Sequence, residues 1–415
     1  MTTIPETSTQ EKNNKVMLAL LSLLFVFPLF NDCVILLCRD GGLHSSYYFV
    51  GYETGFGARK LLGTLFSLML PDYTTRKDLI PYVFAVLLFI CILFIAYVYR
   101  SFKNTDFRRS NNSLPFFLVT AIYMASSYGI QRALSLVWYA DIWLYLSALI
   151  FVIVFVKHRK RHWFPVFALL MVVLSCLIHH IFCCLFFPLF AALFIYEVLP
   201  DRQVDKRKAV IYGGICLALG ILFVCLWRFS TMNISVDELR QRLMEHTDNV
   251  CDKDPFVLNL LYGSSASNYQ GMWDVGQFPT RYIQLPFLFL FLSPLIMLFV
   301  MPWILSIRHS HHGAERAKYT LMLLASTLLF LPIFAVATDY GRWWMAWFFC
   351  QTLLLLTMYR LGDRHIISAM RYMFGWCRKH PIVSILLVVY ILLLRISPTD
   401  NAGIDVLSYA REFFA

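Results

Sequence analysis

Two short charged stretches lie between apolar runs and carry the side chains best suited to chemistry. The first is Asp339-Tyr340-Gly341-Arg342-Trp343-Trp344. An ionisable side chain at membrane depth costs about 2.5–3.5 kcal/mol on insertion scales, so it usually has a partner and faces a polar cavity. Arg342 could therefore bind a phosphate or carboxylate, Asp339 could act as a base, and Trp343 and Trp344 could stack on a sugar ring. The alternative is an Asp–Arg pair that closes a short turn between helices beside an aromatic belt.

The second stretch is Glu53-Thr54-Gly55-Phe56-Gly57-Ala58-Arg59-Lys60. It precedes a short predicted helix, whose first turn offers open N–H groups and partial positive charge. Arg59 and Lys60 add to that field and would favour an anion such as a lipid pyrophosphate. Glu53 could be a general base or a metal ligand, and Asp40 is the other nearby carboxylate of this loop. The alternative is that Arg59 and Lys60 simply extend to the membrane surface.

Several further residues are weaker candidates. Single charged residues near the predicted span ends are more often anchors than binding groups; they are Arg132, Asp141, Asp274 and Arg281. Trp273 could stack on a sugar. His179-His180 could donate to a phosphate or act as acid and base, although a histidine pair in a turn is as often structural. The cysteine and histidine spacings do not match a metal site, so no resident metal or other cofactor is predicted.

The composition indicates what must position these residues. Of the 415 residues, 59% are hydrophobic and only 15% are charged, against about 25% charged in soluble domains. A helix needs about 20 mainly apolar residues to cross the hydrocarbon. The sequence therefore predicts an all-α, polytopic transmembrane bundle, residues 1–415 forming a single membrane domain. Eleven spans are predicted, at 16–37, 80–99, 114–130, 134–156, 163–178, 181–199, 209–227, 282–306, 319–338, 343–359 and 381–396.

The basic residues orient this bundle. Lys and Arg are retained on the cytoplasmic side, and one alternating topology places every dense basic cluster there, with the N-terminus cytoplasmic and the C-terminus outside. The same assignment accounts for the net charge of +11, so no nucleic-acid partner is predicted. The clusters are Arg100–Arg109, Lys157–His162, Arg202–Lys208, Arg308–Lys318 and Arg360–Lys379.

Two outer loops are long in this topology. The first, 38–79, contains an apolar pattern of helical period near 58–70, too short to span, which predicts an interfacial or re-entrant helix. The second, 228–281, contains the amphipathic stretch Ser235–His246, with Ser235 as a helix cap and Glu238 three residues later. Both charged stretches thus face outward.

This layout resembles bacterial polytopic proteins of cell-envelope polysaccharide synthesis, namely O-antigen or capsule repeat-unit polymerases and GT-C glycosyltransferases. The polymerases are similar in using outer-face arginines to hold polyprenyl-pyrophosphate sugars, which implies this role for Arg59, Arg281 and Arg342 by type and side. GT-C enzymes place an acidic residue in the first outer loop, a position that Asp40 or Glu53 would fill. That resemblance alone implies a divalent cation, and loop 38–79 lacks the adjacent acidic pair of the GT-C pattern.

The resulting hypothesis is a glycan polymerase or glycosyltransferase at the outer face of a bacterial cytoplasmic membrane. Its partners would be a polyprenyl-linked glycan, membrane lipid and other polysaccharide-assembly proteins. Arg59, Lys60 and Arg342 would hold the pyrophosphate leaving group, and Glu53 or Asp339 would deprotonate the acceptor hydroxyl. Arg342→Ala is then expected to abolish polymer from a protein that still folds. The alternatives are a lipid-linked sugar transporter or flippase, and a membrane acyltransferase using His179-His180 as base.

Overall fold

The computed structural model is helical throughout the part of the chain that it describes. Those residues are 43–70, 75–103, 112–134, 138–200, 203–246, 277–336 and 339–394, with five more between 16 and 23; side chains are not described at 43, 44, 76, 277–284 and 336. Short 3-10 helices occupy Leu43–Tyr48 and Tyr52–Thr54. Among these residues there is no strand. The predicted all-α class is confirmed over this part of the chain.

The α-helices are numbered in chain order. They are α1 (Leu61–Met69), α2 (Arg76–Phe102), α3 (Leu114–Ala125), α4 (Ile130–Leu134), α5 (Asp141–His158), α6 (Phe164–Ile178), α7 (Phe182–Leu185), α8 (Phe187–Val198), α9 (Lys206–Arg228), α10 (Val236–His246), α11 (Gln277–His309), α12 (Gly313–Leu328), α13 (Ile333–Val336), α14 (Tyr340–Arg360), α15 (Arg364–Lys379) and α16 (Pro381–Leu393).

Several of these helices are long and apolar enough to cross a membrane. Five described segments meet that description, and a sixth does if the pair α15–α16, bent by 108°, counts as one. The chain is therefore a helical protein suited to a membrane, while the count of eleven spans stays a prediction. The five segments are Lys77–Phe102, Asp141–His158, Lys206–Arg228, Leu285–His309 and Gly313–Ala335.

The predicted short elements are present, with some shifted boundaries. The helix expected near 58–70 is α1, and α10 begins after Ser235, whose Oγ accepts from the Glu238 backbone N–H at 3.1 Å. The helix expected at 134–156 instead begins at Asp141. α11 begins at Gln277, inside the predicted loop 228–281.

The helices α6 and α8 run in opposite directions. Phe151 of α5 contacts both Phe164, at the start of α6, and Phe194 of α8 at a centroid distance of 5.9 Å. The start of α6 and the later part of α8 are therefore at the same level. An ion pair of 3.0 Å between Arg159 Nε and Glu197 Oε1 supports the same arrangement. The chain thus reverses direction between α6 and α8, while the prediction that each is a separate membrane span stays a prediction.

Helix α14 is the centre of the bundle. All its residues from Tyr340 to Met358 are buried, and it packs against α2, α3, α4, α5, α8, α11 and α15. It is not among the five apolar spans, because it carries polar residues such as Gln351 and Thr352. A helix surrounded by protein can hold polar groups that a lipid-facing helix would expose at high cost.

The two ends of α14 differ in charge. At its C-terminal end, Arg360 lies over the Tyr97 ring at 4.8 Å. The C-terminal ends of α2 and α5 also carry basic residues, which belong to the predicted basic clusters. Both α5 and α14 start at the opposite end, where Asp141 and Arg342 form an ion pair. The described basic clusters therefore lie at one end of the bundle and the charged stretch 339–342 at the other.

Candidate functional site

Arg342 lies in the first turn of α14 between two carboxylates. Its Nε is 3.1 Å from Asp141 Oδ2 and its Nη2 is 3.0 Å from Asp339 Oδ2. The Arg342 and Asp141 side chains are 8% and 5% exposed, whereas Asp339 is 34% exposed. A buried charge needs such pairing, because desolvation costs several kcal/mol per ion. Asp339 is thus the accessible member of this triad.

Two tyrosines connect the triad to Arg59. The Arg342 guanidinium carbon lies 4.6 Å from the centre of the Tyr139 ring, a cation–π contact. Arg59 Nη1 donates a hydrogen bond of 2.8 Å to the Tyr47 hydroxyl, and its guanidinium carbon lies 4.9 Å from that ring. Burial raises the pKa of Tyr47, and the charges of Arg59 and Arg342 lower it while those of Asp339 and Asp141 raise it. All four charges therefore influence Tyr47.

These six residues are the Arg342 cluster: Tyr47, Arg59, Tyr139, Asp141, Asp339 and Arg342. They come from four separate stretches of chain. Three buried polar atoms in the cluster have no hydrogen-bond partner: Arg59 Nε, Asp141 Oδ1 and Arg342 Nε, the last of which lies in the ion pair with Asp141. Buried polar atoms are paired in the great majority of cases, so such exceptions are expected where a ligand or water binds.

Arg59 has a strained backbone. Its φ is 69°, the only positive φ outside glycine among the described residues. The left-handed conformation costs a residue with a Cβ about 1–2 kcal/mol, and strain of this kind concentrates at functional sites. The conformation directs Arg59 toward Tyr47 rather than along the axis of α1, which begins two residues later.

A tight loop holds Arg59 in place. Residues 54–56 pair with 231–233 through backbone hydrogen bonds, Thr231 N to Phe56 O at 2.7 Å and Asn233 N to Thr54 O at 2.8 Å. A Cβ at Gly55, whose φ is +130°, would lie 2.3 Å from the Thr231 carbonyl oxygen. Glycine is therefore needed at position 55 for this close approach.

Lys60 is part of this support. It is 5% exposed, and its Nζ lies 3.1 Å from Thr231 O and 2.9 Å from Met232 Sδ. Burial lowers the pKa of Lys60 to about 8, and the Glu53 charge opposes the shift. The Lys60 ammonium joins the two segments and does not contact the Arg342 cluster in this conformation.

Glu53 is held by α10. Its Oε1 lies 2.7 Å from Arg242 Nη2, and Arg242 Nε also donates to the Phe49 carbonyl at 3.2 Å. The Glu53 carboxylate additionally accepts the Gly51 N–H at 3.1 Å. Glu53 therefore fastens the loop to α10, whose Leu239 and Leu243 are fully buried.

The histidine pair forms the turn between α6 and α7. His179 is 4% exposed, and its Nδ1 accepts the Ile181 N–H at 3.2 Å, which shapes the turn. His180 packs near Phe223 and Trp227. Burial, with a smaller contribution from the Arg59 charge, lowers the pKa of His180 to about 3. His180 is thus a neutral imidazole, and its Nδ1 has no hydrogen-bond partner.

Both predicted sugar-stacking tryptophans of α14 are buried. Trp343 and Trp344 are 1% and 2% exposed, and they pack with Phe334 at centroid distances of 6.4 and 5.5 Å. Both rings lie among other aromatic side chains in this conformation. They hold the first turn of α14 against α13 and so fix Arg342.

The remaining candidates lie elsewhere. Arg132 is half-buried on α4. Asp40, Trp273 and Asp274 lie outside the described residues, as does the side chain of Arg281, whose backbone belongs to α11. In the described ranges, no three His, Cys, Asp or Glu side chains form a group that could hold a metal ion.

Three contributors were not singled out from the sequence. They are Tyr47, Tyr139 and Arg242. Tyr139 is two residues before Asp141, an aromatic–acidic pair at a predicted span end that a search of the sequence could have flagged. Tyr47 and Arg242 offer no comparable signal. No protein-family model, curated protein or solved structure matches the chain.

Proposed function

We propose that this protein is a membrane-embedded glycosyltransferase or glycan polymerase that acts on sugars linked to polyprenyl pyrophosphate. The carrying observation is the buried Asp141–Arg342–Asp339 triad, whose charges influence Tyr47, the residue that Arg59 contacts. Charged residues that served only as surface anchors would be scattered around the rim of the bundle. Here they lie at the N-terminal end of the central helix, and three of their buried polar atoms lack a hydrogen-bond partner.

The geometry favours a division of roles. Arg59, with its Nε unpartnered, is the cation best placed to contact a phosphate oxygen, and arginine suits phosphate through its planar fork of donors. Asp339 is the exposed carboxylate and would receive the acceptor proton. Arg342, enclosed by two carboxylates and Tyr139, positions Asp339. Because Lys60 and Glu53 are engaged with Thr231 and Arg242, they support the loop.

The proposed reaction is a displacement at the anomeric carbon. The acceptor hydroxyl oxygen forms a bond to that carbon, and the bond between the carbon and the pyrophosphate oxygen breaks. The electron pair leaves with the pyrophosphate, whose growing negative charge is stabilised by the fixed Arg59. The hydroxyl proton passes to Asp339 Oδ. Atoms and charge balance without a co-reactant.

The proposal includes the topology. Eleven spans, a cytoplasmic N-terminus and an outer C-terminus would place the Arg342 cluster at the extracytoplasmic face of a bacterial cytoplasmic membrane. Support comes from the described basic clusters, which lie at the far end of α5 and α14 from the Arg342 cluster. Retention of Lys and Arg in the cytoplasm then puts the cluster outside.

The test is binding of a polyprenyl pyrophosphate. The purified protein in lipid nanodiscs would be titrated with undecaprenyl pyrophosphate and with undecaprenol, which has the same chain without the charges. We expect the pyrophosphate to raise the unfolding temperature and undecaprenol to have little effect. Arg59→Gln should weaken pyrophosphate binding about ten-fold or more, since a charge-assisted hydrogen bond is lost.

A matched control is Arg240→Gln. Arg240 is an exposed cation on α10, 44% accessible and 3.8 Å from Asp237, and it lies outside the Arg342 cluster. Its replacement should leave binding unchanged. Equal binding of undecaprenol and undecaprenyl pyrophosphate, or equal loss in Arg59→Gln and Arg240→Gln, would refute the assignment. Transport of the lipid without any new glycosidic bond would instead favour a flippase.

A further inference from the structure

A second polar cavity lies at the other end of α14 from Arg342. Its volume is about 500 Å³, and its walls come from the ends of α8, α12 and α15. That volume is within the range of ordinary ligand sites, roughly 300–1,000 Å³. Because α14 has 21 residues and a helix rises 1.5 Å per residue, the cavity is about 30 Å from Arg342. It is therefore separate from the Arg342 cluster.

The carboxylates of this cavity already have partners. Asp363 caps α15 by accepting the Ile366 N–H at 3.0 Å, and it also accepts the Tyr319 hydroxyl at 2.9 Å. Glu315 Oε2 lies 3.4 Å from His365 Nε2. The carboxylates of Asp363 and Glu315 thus contact neighbouring protein groups.

Two cations complete the wall. Lys318 Nζ lies 3.7 Å from the centre of the Tyr196 ring, which fixes the ammonium at the cavity. Arg364, at the start of α15, is exposed, and no carboxylate of the described residues forms an ion pair with it. A fixed ammonium and an accessible guanidinium, beside tyrosine rings, form a suitable environment for a phosphate ester.

The bend between α15 and α16 places this cavity near a membrane surface. α16 is apolar and mostly exposed, as expected for a helix in lipid, and α15 turns away from it by 108°. With α16 crossing the membrane, as the predicted span 381–396 requires, α15 runs close to the membrane plane. Its Tyr372 and Trp376 are 60% and 44% exposed, and aromatic side chains with basic neighbours are typical of the headgroup level.

We propose that this cavity binds the phosphate headgroup of an anionic membrane phospholipid, with Lys318 and Arg364 contacting the phosphate. The lipid source is favoured because the cavity opens beside an interfacial helix, and anionic lipids attract basic segments at about 1 kcal/mol per Lys or Arg. This site does not depend on the glycosyltransferase proposal. It could bind lipid even if the Arg342 cluster had another function.

The test is lipid binding to the full-length protein in a neutral detergent. Phosphatidylglycerol, phosphatidylcholine and free glycerol phosphate would be titrated and bound lipid counted by native mass spectrometry. We expect phosphatidylglycerol to bind most tightly. Arg364→Gln and Lys318→Gln should each weaken it about ten-fold, while Lys318→Arg, which keeps the charge, should retain binding.

The control is Arg371→Gln, which removes an exposed cation of α15 that does not line the cavity. It should leave phosphatidylglycerol binding within about two-fold of the wild-type protein, a small free-energy change. An equal loss in Arg371→Gln and Arg364→Gln would show general charge attraction and overturn the site. Equal affinity for glycerol phosphate would overturn the lipid as its ligand.

Discussion

Arg342 bridges Asp141 and Asp339, with contacts of 3.1 and 3.0 Å to their carboxylate oxygens. Asp141 comes from the start of α5 and Asp339 immediately precedes α14, so one guanidinium ties two helix ends together. The bridge is almost fully buried on the Asp141 side. Arg342 therefore stabilises the fold as well as belonging to the site. The sequence led us to expect that Arg342→Ala would abolish polymer from a protein that still folds, and this structural role was not included in that expectation.

Arg342→Gln is expected to destabilise the protein. Removing one partner leaves the buried Asp141 charge uncompensated, which costs about 3–5 kcal/mol in comparable pairs. The double variant Asp141→Asn/Arg342→Gln should recover part of this loss, because the buried carboxylate is then neutral. Thermal unfolding of the purified proteins measures both. If the loss of stability in the double variant equalled the sum of the losses in Arg342→Gln and Asp141→Asn, the two side chains would not be coupled.

Two replacements of Arg59 separate its backbone from its charge. Arg59→Gly and Arg59→Ala both remove the guanidinium, so both should lose pyrophosphate binding. The φ of 69° suits glycine and strains alanine, so Arg59→Gly should be more stable by about 1 kcal/mol. Thermal unfolding of the two variants gives the comparison. Equal stabilities would show that the backbone relaxes on replacement and that residue 59 stores no strain.

Most helix positions were predictable because a long apolar run indicates a helix. The helices α2, α6, α9 and α11 follow from runs of the required length, and α10 follows from its cap at Ser235 and its amphipathic period. The late start of the helix at Asp141 was not predictable. The residues before it are also apolar, and pairing with Arg342, some 200 residues later in the chain, favours a helix start at that position.

The site was predictable only in its local part. The Asp339–Arg342 contact joins residues three apart, and such pairs are neighbours on a helix. The partner of Glu53 is Arg242 and that of Arg59 is Tyr47; tertiary packing selects these contacts, and the periodicity of the sequence does not encode them. Burial of Trp343 likewise depends on α13, which the sequence places in a single longer span.

Glu53 and Asp339 are expected to differ sharply on replacement. The ion pair of Glu53 with Arg242 is partly exposed, 39% and 33%, and such pairs contribute about 1 kcal/mol or less. Glu53→Gln should therefore keep most activity. Asp339→Asn should reduce glycosyl transfer about 100-fold or more if Asp339 is the general base.

The measurement for this pair is incorporation of labelled sugar into polymer by membranes that contain equal amounts of each variant. Asp237→Asn is the control, because Asp237 on α10 is 92% exposed. Loss of activity in Glu53→Gln with retention in Asp339→Asn would reverse the roles. Glu53 would then be the base, and Asp339 only a partner of Arg342.

Lys60 gives a prediction for pH dependence. Its pKa is lowered to about 8 from 10.5 because its ammonium is buried. Between about pH 8 and 10.5 the unfolded chain therefore binds more protons at this lysine than the folded protein does. Its contribution to the free energy of unfolding should rise with pH across that window, by at most about 1.4 kcal/mol per pH unit. Below pH 8 the burial penalty is present in full and constant.

Lys60→Met isolates this contribution, since tyrosines also titrate at high pH. As pH rises from about 8 to 10, the unfolding temperature of the wild type should rise relative to that of Lys60→Met, because the neutral amine no longer carries the burial penalty. The Lys60 amine can still donate to Thr231 O, 3.1 Å away, so the loop contact survives deprotonation. A difference that stayed flat with pH would mean that Lys60 keeps an ordinary pKa, and that its ammonium reaches water instead of lying buried against residues 231 and 232.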